Sequence, residues 1–185
     1  MALQHDGPLT YADFAALPDD LVRRELIDGG VVVTPAPNTR HQDVLGRLFL
    51  AFANHLAASG GGRVFVAPYD VVLTDHTVVE PDLVFVADDD LGLVTEANLQ
   101  GAPTLAAEVV SHSRTDRVRK RDLYARHGIG EYWVVDPDAD RVEVYRLTAA
   151  GGGTYPKPEL FEVGETVSPR SLPTLAIDLA ELFCR

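Results

Sequence analysis

Two short apolar segments that each carry a single carboxylate constrain the fold of this chain most. The segment "PDLVFV" places Asp82 directly before four apolar residues, 83–86, and the segment "TLAAEVV" contains Glu108 as its only charge. Continuous apolar runs of this length predict strands that are buried on both faces of a sheet. Because burying an unpaired charge is costly, each carboxylate must either reach water or have a partner that neutralises it.

The two carboxylates raise one shared question. If they lie on adjacent buried strands, they repel each other, and each pKa rises unless a cation sits between them. A divalent metal removes that conflict, because Mg²⁺ is commonly held by one or two carboxylates together with water and substrate phosphate oxygens. The alternative stays open that Asp82 caps a turn and that Glu108 faces solvent from an edge strand.

A polar, basic segment follows the second apolar run and is predicted to form a helix over residues 115–127. Asp116, Lys120 and Tyr124 are four residues apart and therefore share one helix face. Since the helix begins soon after the strand ends, a lysine on that face could reach a metal-bound water or a phosphate. The alternative is a surface pair between Asp116 and Lys120, which is worth only about a few tenths of a kcal/mol.

The remaining pattern predicts an α/β or α+β fold in a single domain over residues 1–185. Asp28-Gly29 between two apolar runs is a strong hairpin signal, and apolar positions at helical spacing predict a helix over residues 39–58. The other predicted strands are 64–67, 69–73, 83–86, 104–110, 131–136 and 141–147. A short closing helix is predicted near Leu179. This order of elements indicates a central mixed β-sheet flanked by helices.

The charge of the chain disfavours a general nucleic-acid-binding surface. The formal net charge is -12, with 16 Lys and Arg against 28 Asp and Glu, and binding through counterion release needs clustered basic residues. The basic residues are nevertheless concentrated in one stretch, which contains Arg114, Arg117, Arg119, Lys120, Arg121 and Arg126. An acidic protein can therefore still present one basic stripe.

Several features point to a cytoplasmic protein. No apolar run reaches the roughly 18 residues that a membrane-spanning helix needs, so no membrane association is expected. The N-terminal segment "MALQHDGPLTYADF" lacks the basic and apolar regions of a signal peptide. The single cysteine, Cys184, has no partner for an intrachain disulfide, which fits a reducing compartment.

The motifs "RRELIDGGVVVTP", "VEPDLVFV", "AAEVVS" with "TDRVRKRDLY", and "GIGEYWVVDP" with "RVEVYRL" occur in that order. With them the chain resembles the family of Uma-type putative restriction endonucleases, within the PD-(D/E)XK nuclease superfamily. The resemblance extends over about residues 11–183. It implies a restriction-endonuclease-like fold, in which helices flank a central mixed sheet.

The resemblance also implies site residues. Asp82 and Glu108 match the residues that bind the divalent metal, and Glu25 matches a further carboxylate on the leading element. The superfamily usually has a lysine two residues after the glutamate, where this chain has Val110. Lys120 on the following helix matches the lysine of this family. Asp82, Glu108, Lys120 and Glu25 are therefore the expected catalytic residues.

The activity implied is Mg²⁺-dependent hydrolysis of DNA phosphodiester bonds, with Mn²⁺ as a substitute. The metal would polarise the phosphate and lower the pKa of a bound water, and Lys120 would orient that water or stabilise the developing charge. Arg117 and Arg121 are expected to contact DNA phosphates, and His41 is a candidate contact. A homodimer is expected, because cutting two strands is simplest with two sites.

The sequence leaves two other functions open. One is a nuclease fold without activity that serves as a binding or assembly module; the net charge of -12 and the short "SHSRTD" loop favour it. The other is a hydrolase that uses Ser111, His112 or Ser113, although the chain has no GxSxG motif. A zinc site is not expected, because the histidines lack paired ligand spacing. Tyr132 and Trp133 are predicted to be core residues.

Overall fold

In a computed structural model, the structure describes residues 7–18, 22–110, 114–148 and 153–185; of residues 114–116 the backbone alone is described. The helices are α1 (Tyr11–Ala15), α2 (Thr39–Ser59), α3 (Arg114–Arg126) and α4 (Leu179–Leu182), with a 3₁₀ helix at Asp88–Leu93. The strands are β1 (Arg24–Ile27), β2 (Gly30–Val33), β3 (Gly62–Val66), β4 (Val71–Thr74), β5 (Thr77–Val79), β6 (Leu83–Ala87), β7 (Leu99–Gln100), β8 (Leu105–Val109), β9 (Glu131–Asp136), β10 (Arg141–Arg146), β11 (Glu159–Glu162), β12 (Thr166–Val167) and β13 (Ile177–Asp178).

The larger sheet is mixed, as the sequence predicted. Its six strands have the order β11-β10-β9-β8-β6-β3. β8 and β9 pair in parallel, whereas its other neighbouring strands pair antiparallel. A parallel pair needs a crossover connection, and α3 supplies it, since it lies between β8 and β9 in the chain. The basic helix is thereby held against the strand that carries Glu108.

Helices cover both faces of this sheet. On one face α2 buries Val44, Leu48 and Phe52 against β6 side chains that include Leu83 and Phe85. On the other face α3 packs Leu123 and Tyr124 with a cluster that contains Val84, Val86 and Ala106. Alternate residues of β6 thus enter different cores. This burial on two sides explains why the strand is apolar without interruption.

A second sheet was not predicted from the sequence. It has five strands in the order β2-β1-β5-β4-β7. The predicted hairpin at Asp28-Gly29 forms its edge, with both residues at positive φ, 50° and 80°. β5 and β7 were missed because they contain only three and two residues, too few to show a period. This sheet carries Glu25 on β1.

The end of the chain is only partly helical. The predicted closing helix contains four residues, Leu179–Leu182, because the two residues before it pair with β12 instead. Asp178 caps the helix by accepting from the Ala180 amide. Leu179, Leu182 and Phe183 are buried in the larger core, as predicted. Within the described ranges, none of the helices combines the length and the apolar character that crossing a bilayer requires.

Candidate active site

Asp82 and Glu108 lie on neighbouring strands at one end of the larger sheet. β6 and β8 pair antiparallel with Leu83 opposite Ala107, and the same register carried one residue further sets Asp82 opposite Glu108. Residues opposite each other in such a pair point to the same face. The Val109 amide donates a hydrogen bond to Asp82 Oδ2 at 2.9 Å. The structure thus brings together the two carboxylates that the sequence singled out.

Asp82 is surrounded by donors from other elements. Arg23 Nη1 donates to Asp82 Oδ1 at 3.0 Å, and His41 Nε2, from the first turn of α2, lies 3.0 Å from Asp82 Oδ2. Burial raises the pKa of Asp82, but the His41 hydrogen bond and the Arg23 charge outweigh burial and hold the pKa below its ordinary value. A buried strand can therefore begin with this carboxylate, because its charge is fully partnered.

Glu108 is buried against α3. Lys120 Nζ donates to Glu108 Oε1 at 2.8 Å, and the Tyr124 hydroxyl donates to the same oxygen at 2.6 Å. Burial raises the pKa of Glu108 to about 7; the Lys120 charge opposes this rise, whereas Asp82 and Glu25 add to it. The carboxyl group therefore changes its charge near neutral pH.

Lys120 joins Glu108 to the second sheet. Its Nζ also donates to Glu25 Oε1 at 3.1 Å, and the Glu80 amide donates to the same oxygen at 2.9 Å. The lysine is 4% exposed. Its position beside the strand pair, predicted from the four-residue spacing, is confirmed, and its part in any chemistry stays a prediction. Glu25 follows Arg23 and Arg24 in the chain, but its hydrogen bond goes to Lys120.

Arg23 also belongs to the cluster, although the sequence did not indicate this. Besides Asp82, its guanidinium contacts Glu80 twice, through Nε to the side chain at 3.2 Å and through Nη2 to the main-chain carbonyl. Burial lowers the pKa of Arg23, but Asp82, Glu108 and Glu25 together raise it above its ordinary value. Arg23 thus acts as a fixed positive charge at the end of β6.

His41 presents one ring nitrogen to Asp82 and buries the other. The residue is 7% exposed, and Nδ1 has no hydrogen-bond partner among the described residues. Because a carboxylate oxygen only accepts, Nε2 carries the hydrogen of the bond to Asp82. The Asn38 side chain accepts from the His41 amide and caps α2, which fixes the position of the ring.

The other arginines of α3 have different surroundings. Arg117 donates to Asp136 at 2.7 Å, and it borders a small cavity next to Glu108. Arg121 pairs with the adjacent Asp122 in a more exposed position. Arg119 and Arg126 are exposed, as predicted. Arg117 is therefore at the cluster, whereas Arg121 lies further along the helix, and contact with DNA stays a prediction for both.

Two cavities meet at this cluster. The smaller has a volume of about 150 Å³ and contacts Glu108 and Lys120. The larger has a volume of about 670 Å³ and extends between α1, α2 and the end of β3. Arg23, His41 and Asp82 line both cavities. These three residues therefore form the boundary between the two cavities.

The oxygen donors of this cluster fit a hard divalent cation. Carboxylate oxygens are the protein ligands that Mg²⁺ prefers, and Asp82, Glu108 and Glu25 supply them at this cluster. In the described arrangement Arg23 and Lys120 hold the carboxylates. Across residues 7–18, 22–110, 114–148 and 153–185, no group of three or more His, Cys, Asp or Glu is set to hold a metal.

Sequence reasoning missed Arg23 and Tyr124 as parts of the cluster, although signals for both exist. Arg23 lies two residues before Glu25, and residues at this spacing share a face of an extended chain. Tyr124 was placed on the helix face of Lys120, but its bond to Glu108 could not be read from spacing alone. Tyr132 and Trp133 are fully buried, so their prediction as core residues is confirmed.

The hydrolase alternative falls on a segment that is not described. Ser111, His112 and Ser113 lie outside the described residues, as does the side chain of Asp116. The other residues of the proposed site belong to described elements. The candidate site is therefore defined by the carboxylate cluster and the two cavities.

Comparisons with known proteins identify the family and the fold of this chain. Residues 11–180 match the model of the family described as Uma2, putative restriction endonuclease. None of the curated proteins is similar in sequence to the chain. A crystal structure of a putative nuclease belonging to DUF820 from Anabaena variabilis ATCC 29413 is similar over 95% of this chain and 98% of that chain, with a TM-score of 0.79 and 22% identity. That similarity shows the fold, and the family match covers nearly the whole chain, so this protein belongs to the Uma2 family of putative restriction endonucleases.

Proposed function

We propose that this protein is a metal-dependent endonuclease that hydrolyses DNA phosphodiester bonds at the carboxylate cluster around Lys120. Membership of the family supports a nuclease-like function. The observation that carries the proposal is the buried lysine that bonds Glu108 while Asp82 lies on the adjacent strand. Two carboxylates and a lysine at the end of neighbouring strands are suited to phosphoryl chemistry, in which positioning and charge stabilisation supply most of the catalysis.

In this proposal Asp82 and Glu108 hold Mg²⁺, or Mn²⁺ in its place, and Glu25 adds a third carboxylate nearby. A bound divalent cation supplies Lewis-acid polarisation of the phosphate and a water with a lowered pKa. Lys120 donates hydrogen bonds to negatively charged oxygens, and Tyr124 keeps Glu108 oriented. Overall one water is consumed, one P–O bond breaks, and a phosphate end and a hydroxyl end remain.

Arg23 and His41 set the charge of Asp82 in this proposal. The imidazole holds one carboxylate oxygen and Arg23 neutralises the other, so Arg23 would compete with a divalent cation for Asp82. Arg117, which borders the smaller cavity, is proposed to contact a DNA phosphate, and Arg121 is proposed as a more distant contact. We further propose that the protein is cytoplasmic and forms a homodimer.

Cleavage by the purified protein tests the proposal directly. Plasmid, linear duplex and single-stranded DNA are incubated with Mg²⁺, with Mn²⁺ or with EDTA. We expect metal-dependent cleavage that Asp82→Asn and Glu108→Gln each abolish, while Arg119→Gln, an exposed change in α3, retains it. Glu25→Gln separates two roles of that residue, because a residue that only supports Lys120 should leave Mn²⁺ affinity unchanged. Cleavage that survives Asp82→Asn would contradict the proposal.

A second candidate function is a binding or assembly module with the same fold. The specific observation in its favour is that Arg23 and Lys120 already pair with the carboxylates, in a chain of net charge -12. Isothermal titration with Mn²⁺ distinguishes the two functions. A site that binds no Mn²⁺, together with no cleavage of any DNA, would favour the module.

A further inference from the structure

The larger cavity is continuous with the carboxylate cluster and has the size of a ligand pocket. Its volume is about 670 Å³, within the range of roughly 300–1,000 Å³ for small-molecule sites. Arg23, His41 and Asp82 lie at the end that it shares with the smaller cavity. A substrate whose phosphate reaches Asp82 can therefore place its adjoining group in the larger cavity.

The walls of this cavity are apolar and aromatic away from the cluster. Phe14 of α1 and Phe49 of α2 face it, together with Leu45 and Val66. Phe49 and Val66 are only partly buried, since they pack against the edge of the larger core. Flat apolar and aromatic walls bind a planar ring, because every nucleobase has a π-face that stacks in this way.

The polar groups of the cavity lie together at the end next to the cluster, where Arg23 bonds Glu80 and Asp82. Arg23 lies at the end next to Asp82, where it attracts a phosphate. Asp70 and Glu80 also line the cavity, and their carboxyl groups would face a bound group. Carboxyl oxygens accept hydrogen bonds from the amino groups of bases and repel phosphates. A base is therefore favoured inside the cavity, with its phosphate outside at Arg23.

The charge of the whole chain favours the same kind of ligand. A net charge of -12 gives little non-specific attraction to duplex DNA, which depends on neutralising many phosphates. Arg121 and Arg126 also pair with the protein's own Asp122 and Asp28. Base stacking, worth about 1–3 kcal/mol per base, is available only where a base is unpaired.

We propose that the larger cavity binds an unpaired base of the nucleic-acid substrate, so that the preferred substrate is single-stranded or locally unpaired rather than continuous duplex. The inference rests on the proposed function for the position of the phosphate, and it adds the substrate class. It makes Phe14 and Phe49 substrate-binding residues and Gln42, on the same wall, a polar contact.

Gly46 allows the cavity to be filled without touching the cluster. It lies in α2 and lines the cavity, and a Cβ atom added there meets no heavy atom within 4 Å. Leucine also has a higher helix propensity than glycine, so Gly46→Leu is expected to fold. Gln42→Trp, one helical turn earlier on the same wall, fills the cavity independently. Asn54→Leu is the matched control, because Asn54 is an exposed residue of α2 that does not line the cavity.

The experiment measures fluorescence anisotropy in EDTA, so that no cleavage occurs. The probes are a labelled single-stranded oligonucleotide, an abasic strand of the same length and a blunt duplex of the same length. We expect the single strand to bind about tenfold tighter than either other probe. Gly46→Leu and Gln42→Trp should each remove that difference, whereas Asn54→Leu should keep it, with all variants folded by circular dichroism.

Equal affinity for the normal and abasic strands would overturn the proposal, as would tighter binding of the duplex. Unchanged single-strand affinity in both cavity-filling variants would also overturn it. The outcome is separable from the proposed catalysis, because binding is measured without metal. If no DNA is cleaved but the cavity-filling variants lose the single strand selectively, the cavity assignment stands and the catalytic proposal fails.

Discussion

Asp82 and Glu108 lie opposite each other, but their pKa values shift in opposite directions. Asp82 has two partners of its own, and they hold its pKa below the ordinary value. Glu108 shares Lys120 with Glu25, so one positive charge serves two buried carboxylates, and burial raises the Glu108 pKa to about 7. Charge at the cluster therefore depends on pH through Glu108 above all.

The shift of Glu108 predicts how stability depends on pH. The pKa of Glu108 is about 7 in the folded state and 4.5 ordinarily. Between these two pH values the folded state therefore holds a proton on Glu108 that the unfolded state has lost. The contribution to stability is therefore fully present below about pH 4.5 and is lost as the pH rises through about 7. The Glu108→Gln variant has no carboxyl group at this position, so it does not lose this stability as the pH rises. The unfolding free energy of the variant minus that of the unsubstituted protein should therefore increase between about pH 5 and 8, by up to about 3 kcal/mol.

Urea unfolding at the two pH values measures this difference. Glu143→Gln is a control, since Glu143 is a half-buried carboxylate outside the cluster, and it should show little change in relative stability. If the unfolding free energies of Glu108→Gln and of the unsubstituted protein differ by the same amount at both pH values, the raised pKa is refuted.

Arg23 predicts a competition with metal. It neutralises Asp82 at 3.0 Å, where a divalent cation would bind in the proposed function. Arg23→Gln removes the competing charge, so we expect Mn²⁺ affinity to rise by about tenfold, or about 1.4 kcal/mol. Without metal the variant should be less stable, because a buried carboxylate has lost its partner.

Isothermal titration and thermal unfolding with and without Mn²⁺ measure both effects. Arg24→Gln is the matched control, because it removes the same charge from the adjacent residue, whose guanidinium bonds the Val22 carbonyl in an exposed position. Equal Mn²⁺ affinity in both variants would show that Arg23 does not compete with the metal.

Among the secondary-structure elements, segments with a clear local pattern were predicted, whereas β5 and β7, with three and two residues, were missed. α2 begins at Thr39, as predicted, and ends at Ser59, one residue beyond the predicted end. The strands of the second sheet form by pairing with segments that are distant in the chain, and a local sequence pattern does not reveal such pairing. For example, β4 pairs in parallel with the two-residue β7. The same limit applies to the site, since the i, i+4 spacing in α3 revealed Lys120, but Arg23 comes from the other sheet.

The helix α3 is held by its buried lysine as well as by apolar contacts. Lys120→Met keeps much of the apolar stem but leaves Glu108 and Glu25 without their cation. We expect a loss of about 3–5 kcal/mol in unfolding free energy near pH 8, and a smaller loss near pH 5, where Glu108 is protonated. Arg119→Met, on the exposed side of the same helix, should change stability by less than about 0.5 kcal/mol. Equal losses at the two pH values would contradict the shared-cation arrangement.

At the scale of the whole molecule, acidic character and a buried lysine limit phosphate contacts. The sequence suggested three contacts per site, from Arg117, Lys120 and Arg121. Lys120 is 4% exposed and bonded to two carboxylates, so it is not available to phosphates along the surface. Two contacts remain, and both arginines must exchange an acidic partner for a phosphate.

Binding of a single strand should therefore weaken only modestly with salt. Each phosphate contact contributes a slope of about -0.7 in log affinity against log salt for single strands, so two contacts give about -1.4. Arg117→Ala with Arg121→Ala should flatten the slope toward zero without changing Mn²⁺ affinity. Arg126→Ala, an exposed change at the end of α3, is the control and should leave the slope as it is. Anisotropy between about 25 and 200 mM salt measures these slopes. A steep slope that survives the double substitution would place the DNA-binding surface away from α3. Phosphate contacts on that other surface would then supply affinity, so stacking in the larger cavity would no longer need to supply most of it.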